Sequence, residues 1–159
     1  MFHRWAALLL VLALCAMTPK NAAGQTQSSV PRGQKSGAFG KPYPNPFNPE
    51  VHIPFAVDTT GGCTDGSRQN VVTLRISNIL AQEVAVPILL GASSSSITSV
   101  PSSLVGQPLS NVKLGCGLYE AFWSGNLKGT NREAPSGPYL LQIFVNGRLA
   151  DSKQIYNRK

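Results

Sequence analysis

The residue types that carry catalysis or bind metals are few in this chain, and their spacing favours structural roles. The 159 residues include two histidines, three cysteines and seven acidic residues. His52 lies among alternating apolar residues, and no Gly-x-Ser-x-Gly motif is present to supply a nucleophile. No Cys-x-x-Cys pair, phosphate-binding loop or dinucleotide motif occurs, so the sequence predicts neither a metal site nor a cofactor. We therefore expect a protein without enzymatic activity.

Cys63 and Cys116 are candidates for a structural disulfide. The third cysteine, Cys15, lies in an N-terminal export segment, so two cysteines remain for an oxidising compartment. A bridge between them would close a loop of about 54 residues and stabilise the fold by about 4 kcal/mol on the chain-entropy model. Two unpaired thiols are the alternative interpretation.

Residues 1–23 have the organisation of a secretory signal peptide. A short basic start precedes a 13-residue apolar stretch at 5–17, and small residues end at Ala23, where cleavage is expected. A buried N-terminal helix and a lipoprotein signal at Cys15 are alternatives, although Leu14 is larger than lipidation favours. No apolar run reaches the roughly 20 residues of a membrane-spanning helix. We expect an exported protein, in the periplasm or on the outer cell surface.

The composition of the next segment and the charge of the remaining chain bear on partners. Residues 24–40 are rich in Gln, Ser, Gly and Lys, which predicts a flexible tether. Without the first 23 residues, the chain keeps 12 basic and 7 acidic residues, a net charge of +5. A basic balance favours acidic protein partners or an anionic membrane surface. Nucleic acid is not expected, because the basic residues are not interleaved with aromatic ones.

Residues 41–159 show the period-two alternation of β-strands. Strands are predicted at 51–57, 71–78, 81–90, 97–100, 118–123, 138–145 and 149–156, while 104–114 could be strand or loop. Asn146-Gly147 predicts a hairpin between the last two. Pro54 favours an edge position for the first. About seven antiparallel strands with frequent turns predict an all-β sandwich.

Four sequence blocks in this region resemble an immunoglobulin-like module of bacterial flagellar hook-capping proteins. They are YPNPFNP at 43–49, then VTLRISNILAQEV at 72–84, then WSG at 123–125 with a glycine-containing loop and PSGPY at 135–139, and last a strand pair that ends near Lys153 and the basic C-terminus. The module also ends many secreted bacterial proteins, and one branch is similar to the C-terminal sorting domain of the type IX secretion system. The resemblance implies an immunoglobulin-like sandwich over residues 43–159. This chain departs from the pattern at Ala81, often glycine, and at Ser124, usually aspartate. The loop after Ser124 has too few carboxylates for calcium.

A module of this kind behind a signal peptide and tether, without catalytic groups, indicates an accessory subunit. It would bind and stabilise a larger cell-envelope or membrane-associated complex from its periplasmic face. A type IX-like sorting or surface-attachment module and a carbohydrate-binding module are the alternatives. Strand edges, the loops at one end and the tether are the expected contact regions. Tyr43, Phe47 and Trp123 are candidate protein contacts, although core packing is their other interpretation. Candidate contacts with an acidic partner or anionic surface are Lys153, Arg158 and Lys159.

Overall fold

Nine β-strands build the part of the chain described by the computed structural model, which covers residues 36–58, 67–92 and 99–159. This part contains one short 3-10 turn at Ser102–Leu104 and no α-helix, so no helix in it could cross a membrane. The strands are β1 (Gly37–Phe39), β2 (Val51–Val57), β3 (Asn70–Ser77), β4 (Glu83–Ala85), β5 (Ile88–Ala92), β6 (Val112–Leu114), β7 (Gly117–Trp123), β8 (Gly137–Val145) and β9 (Arg148–Asn157).

The strands form two antiparallel sheets. The first sheet has the order β1-β2-β7-β5, and the second has the order β4-β3-β8-β9 with β6 also paired to β3. With β6 left out, the strands in chain order take the letters A, B, C, C′, D, E, F and G. The first sheet is then A-B-E-D and the second is C′-C-F-G. This is the strand order of an immunoglobulin-like sandwich, and it confirms the predicted all-β fold.

The core lies between the sheets and follows the predicted alternation. Strand β2 alternates between buried and half-buried residues along its whole length. Its inward side chains, Val51, Ile53 and Phe55, are at most 2% exposed. From the second sheet, the core receives Leu74, Ile76, Leu141 and Ile143. Period-two burial on both sheets is what two half-buried layers require.

A tyrosine at the start of β8 fixes the loop that leads into it. The Tyr139 hydroxyl donates a 2.7 Å hydrogen bond to the carbonyl of Pro135, four residues upstream. Tyr119 on β7 makes the same contact with Gly115 at 2.9 Å. The first is the tyrosine corner of immunoglobulin-like sandwiches. Burial raises the pKa of both phenols above the ordinary tyrosine value.

The edge position predicted for β2 is wrong, because β1 and β7 flank it. Gly40 donates a 2.8 Å backbone hydrogen bond to the carbonyl of Pro54, but a proline has no N–H to return the bond. The ammonium of Lys153 supplies the missing donor, at 2.7 Å from the Gly40 carbonyl. A lysine from β9 thus makes a proline acceptable inside the sheet.

Three other predictions need correction. The predicted strand at 81–90 is two strands, β4 in the second sheet and β5 in the first, separated at Val86-Pro87. Residues 37–39 form β1, although they lie in the predicted tether. The predicted strand at 97–100 is not found at its described residues, 99–100. The segment 104–114, which could be strand or loop, holds the strand β6. The predictions for 1–23, for most of the tether, for Cys63 and for 97–98 fall outside the described residues.

The predicted hairpin between β8 and β9 is confirmed. Asn146 and Gly147 both have positive φ angles, 52° and 77°. A two-residue turn with positive φ at both positions matches the right-handed twist of the strands that it joins.

Candidate functional site

Two of the residues predicted to contact a partner are in the core. Phe47 is 1% exposed and Trp123 is 4% exposed. Their rings lie 5.3 Å apart, and each packs against Tyr139. The indole N–H of Trp123 donates to the carbonyl of Asn126 at 2.8 Å. Core packing is therefore the role that the structure gives both side chains, and they offer no surface to a partner.

The proline-rich segment 43–49 covers the outer edge of β9. Phe47 N–H donates to the Tyr156 carbonyl, and Arg158 N–H donates to the Phe47 carbonyl, both at 2.9 Å. Asn45 accepts the Tyr156 N–H on its side-chain oxygen at 3.0 Å. The three X-Pro bonds of the segment are cis. The hydrogen bonds of Phe47, Arg158 and Asn45 occupy part of the β9 edge, which could otherwise pair with another strand.

Other strand edges are occupied as well. Asp151 accepts the Phe39 N–H of β1 at 2.9 Å. On β5, Leu89 exchanges backbone hydrogen bonds with Gln107 and Gly106 of the following loop. The expectation that strand edges mediate association therefore loses support at β1, β5 and β9, and exposed faces and loops become the better candidates.

The basic residues singled out near the C-terminus differ in their surroundings. Lys153 is committed to the Gly40 carbonyl through the hydrogen bond that supports Pro54. Lys159 forms a 2.9 Å ion pair with Glu133. Arg158 is exposed, and its backbone is tied to Phe47. Of the three, Arg158 and Lys159 remain at the surface, directly after β9.

Tyr43, His52 and Glu120 form a cluster on the outer face of the first sheet. Glu120 Oε1 accepts hydrogen bonds from the Tyr43 hydroxyl at 2.5 Å and from His52 Nδ1 at 2.8 Å. The Tyr43 and His52 rings stack with centroids 5.1 Å apart. The hydrogen bond to Glu120 raises the pKa of the Tyr43 phenol, because ionisation would place two anions together.

Sequence reasoning missed this cluster, because Glu120 lies 68 residues from His52 in the chain. The alternation placed both at outward positions, but the β2–β7 register sets their distance, with Pro54 opposite Glu120 and His52 opposite Phe122. A carboxylate beside a histidine orients the ring, as in general-base sites. Here the same oxygen also binds Tyr43, which fixes all three side chains against the sheet.

Apolar side chains surround this cluster. We call the apolar face the outward residues Pro54, Ala56, Ile88, Leu118 and Phe122. Leu118 is 41% exposed, and Leu90, at a bulge in β5, is 37% exposed. A cavity of about 490 Å³ beside Ile88 and Phe122 continues the face toward Asn126 and Lys128.

The outer face of the second sheet mixes polar rows with apolar side chains, which include Phe144 opposite Leu149 and Pro138 opposite Tyr156. Register places Arg75, Gln142 and Ser152 in one row across β3, β8 and β9, and Ser77, Leu140 and Gln154 in another. Arg75 also lies over the Phe144 ring, 4.9 Å from its centroid. The solvent side of an antiparallel sheet is usually polar, and the apolar face of the first sheet departs from that pattern.

A second exposed apolar feature lies on the turn between β3 and β4. Ile79 is 79% exposed and Leu80 is 71% exposed. We call these two residues the apolar tip. Clefts of about 340 and 260 Å³ lie beside Ile79, and Pro138 and Tyr139 line both. The predicted strands at 71–78 and 81–90 leave Ile79 and Leu80 as their connection, but no signal in the sequence showed that both apolar side chains are exposed.

Comparison with family models and with curated proteins finds no match. Among solved structures, the chain is similar to the Pseudomonas fluorescens alkylpurine DNA glycosylase AlkC bound to DNA containing an abasic site analog. The identity is 15% and the TM-score is 0.44. The match covers 80% of this chain and 32% of the glycosylase chain, so this chain spans about a third of that protein.

Proposed function

We propose that this protein is a non-enzymatic, exported accessory subunit that binds a larger cell-envelope complex through the apolar face. The supporting observation is that face itself, half-exposed on a sheet whose solvent side should be polar. The two ionisable side chains that the face surrounds, His52 and Glu120, are hydrogen-bonded to each other. A protein surface can therefore cover the face without leaving the Glu120 carboxylate unpaired.

A protein is the proposed occupant because the face is apolar, mostly aliphatic and backed by the core. Leu118 and Ala56 lie beside a shallow depression of about 290 Å³ that Pro54 also lines. Sugar binding by stacking needs open aromatic rings, but the ring of Tyr43 already stacks on His52. Aliphatic side chains around a shallow depression suit the buried centre of a protein interface.

We also propose the Cys63–Cys116 disulfide, which fits an exported protein. Cys116 is buried and lies between Leu114, which pairs with Asn70, and Gly117, which pairs with Val57. Cys63 belongs to the connection between Val57 and Asn70, six residues after the first and seven before the second. That connection therefore starts and ends beside the segment that holds Cys116.

The experiment is a mild-detergent purification of the tagged protein from its native envelope, with mass spectrometry of the co-migrating proteins. We expect the unmodified protein, called the parent, to co-purify with a stoichiometric set of envelope proteins. Leu118→Lys places a charge on the apolar face and should release them. Leu149→Lys, at a 53% exposed position on β9, is the matched control and should retain them.

Two results would contradict the proposal. One is recovery of the parent as a free monomer. The other is equal retention of partners by Leu118→Lys and Leu149→Lys, which would exclude the apolar face as the contact. Recovery in covalent attachment to surface polysaccharide would instead favour the sorting or attachment function.

A further inference from the structure

The turn that carries the apolar tip is locked by its own hydrogen bonds. The Asn78 side-chain oxygen accepts the N–H groups of Leu80 at 2.9 Å and Gln82 at 3.0 Å. The Asn78 amide donates to the Gln82 side chain at 2.9 Å, and the backbone N–H of Asn78 donates to the Gln82 carbonyl at 3.0 Å. Ala81 has φ +59°, the left-handed conformation that the related motif assigns to glycine. Ile79 and Leu80 are therefore held outward by a defined backbone.

The tip is the most exposed part of a wider apolar patch. Among the large hydrophobic residues of the described chain, Ile79 and Leu80 have the highest exposures, 79% and 71%. The larger cleft beside Ile79 is also lined by Val84, Leu127 and Pro135. Scattered exposed leucines are normal on protein surfaces, whereas two adjacent apolar side chains on a rigid turn, continuous with apolar clefts, indicate a binding site.

Basic side chains lie around this patch. Lys128 pairs at 2.6 Å with Glu83, the first residue of β4 after the turn. The Arg132 carbonyl accepts the N–H of Leu127 at 2.8 Å, so the Arg132 backbone lies beside a residue that lines the larger cleft. The backbone N–H of Lys159 donates to Ser136 on the other side of that cleft, at 3.2 Å.

The charge at this end of the fold is positive overall. Its acidic residues are Glu50, Glu83 and Glu133, and its basic residues are Arg75, Lys128, Arg132, Arg158 and Lys159. Two of the carboxylates are paired within the group, and Glu83 contacts both Arg75 and Lys128. With five basic and three acidic residues, this end of the fold has a net charge of +2, and it also carries the apolar tip.

We propose that the apolar tip inserts into the surface of an anionic lipid bilayer, with the surrounding cations on the lipid phosphates. A convex tip needs a partner that deforms around it, and the boundary between headgroups and acyl chains does so. Juxtaposed basic residues add attraction to anionic lipids that salt screens. The tip is a different surface from the apolar face, so this proposal does not depend on the proposed protein contact.

The test is co-sedimentation of the natively processed protein with vesicles. Vesicles of equimolar phosphatidylglycerol and phosphatidylcholine should bind the protein, vesicles of phosphatidylcholine alone should bind it far less, and salt should weaken the binding. Ile79→Ser combined with Leu80→Ser should weaken binding at least about tenfold, because the inserted apolar area is lost. The fold should be unchanged, because both side chains are exposed and the Asn78 hydrogen bonds do not involve them.

A matched control and a local probe complete the design. Leu149→Ser removes an exposed leucine beside the β8–β9 turn and should leave binding unchanged. Arg132→Gln with Arg158→Gln should weaken binding to the anionic vesicles. A tryptophan introduced by Ile79→Trp should be quenched by brominated acyl chains, with the parent protein as background.

Several results would overturn the proposal. They are equal binding by the tip variant and the parent, equal binding to both vesicle types, and absence of quenching at position 79. Failure of the parent to bind anionic vesicles would also overturn it, and the tip would then be assigned to a protein contact.

Discussion

Gly125→Ala tests how the proline-rich segment is held against the sandwich. Gly125 has φ +81°, and a Cβ at this position would lie 2.3 Å from the carbonyl oxygen of Pro49 and 2.9 Å from its Cβ. A backbone carbonyl cannot rotate away as a side chain does. The substitution must therefore move either the loop after Trp123 or the segment that precedes β2.

The expected loss has two parts. The left-handed backbone costs a residue with a Cβ about 1–2 kcal/mol. Relief of an overpacked contact through backbone movement costs about 1–3 kcal/mol more. We therefore expect Gly125→Ala to lower the free energy of unfolding by about 2–5 kcal/mol. At about 4 °C per kcal/mol for a domain of this size, Tm should fall by roughly 8–20 °C.

Gly129→Ala is the matched control in the same loop. Gly129 has φ +70°, but a Cβ added there would meet no atom within 4 Å. It carries the conformational cost without the clash, so the two variants should differ by the contact term alone, about 1–3 kcal/mol. Alanine also restricts the unfolded chain more than glycine does, and this smaller stabilising effect is the same in both variants.

The assay is urea unfolding followed by Trp123 fluorescence, with linear extrapolation of the free energy. The slope with urea should stay constant, since the surface exposed on unfolding is unchanged. If Gly125→Ala and Gly129→Ala destabilise the protein equally, the close packing of Gly125 on Pro49 is refuted.

Three further predictions concern Tyr139, Tyr43 and the pair Cys63 and Cys116. Tyr139→Phe should cost about 1–2 kcal/mol in urea unfolding, because it removes the corner hydrogen bond and leaves the Pro135 carbonyl with only the longer 3.3 Å bond from the Asn157 side-chain amide; no loss would refute the corner's role. The raised pKa of Tyr43 means that its contribution is fully present below about pH 10 and is lost as pH rises through the folded-state pKa. The stability difference between the parent and Tyr43→Phe should therefore narrow in alkaline urea titrations, and a difference independent of pH would exclude the Glu120 contact. The exported protein should show Cys63 and Cys116 joined in a non-reducing peptide map, and Cys116→Ser should lower stability by about 4 kcal/mol; alkylation of both thiols without reduction would contradict the bridge.

Local signals predicted much of the sheet framework. Alternation predicted β2 at its observed bounds, and Asn146-Gly147 predicted the final hairpin. Both signals act over neighbouring residues, since alternation sets which face is buried and positive φ angles set the turn. Where the chain changes sheets at Val86-Pro87, the same alternation continues across the break, so the pattern alone could not separate β4 from β5.

The candidate sites were harder to predict than the strands. Phe47 and Trp123 had two interpretations until packing placed both rings in the core. Ile79 and Leu80 lie between two predicted strands, and only the Asn78 turn shows that their apolar side chains leave the core. Burial depends on which segments meet, and composition does not specify that.

The sequence by itself determined the all-β class, the inward residues of the main strands and the turn at Asn146-Gly147. These depend on backbone preferences and on the period of two, which are local. The tertiary structure decided the contacts between distant segments: Tyr43 and His52 with Glu120, Lys153 with Gly40, and the proline-rich segment with β9. Such contacts depend on strand order and register, which the packing of the whole core selects. The apolar face and the apolar tip became visible only when that packing was known.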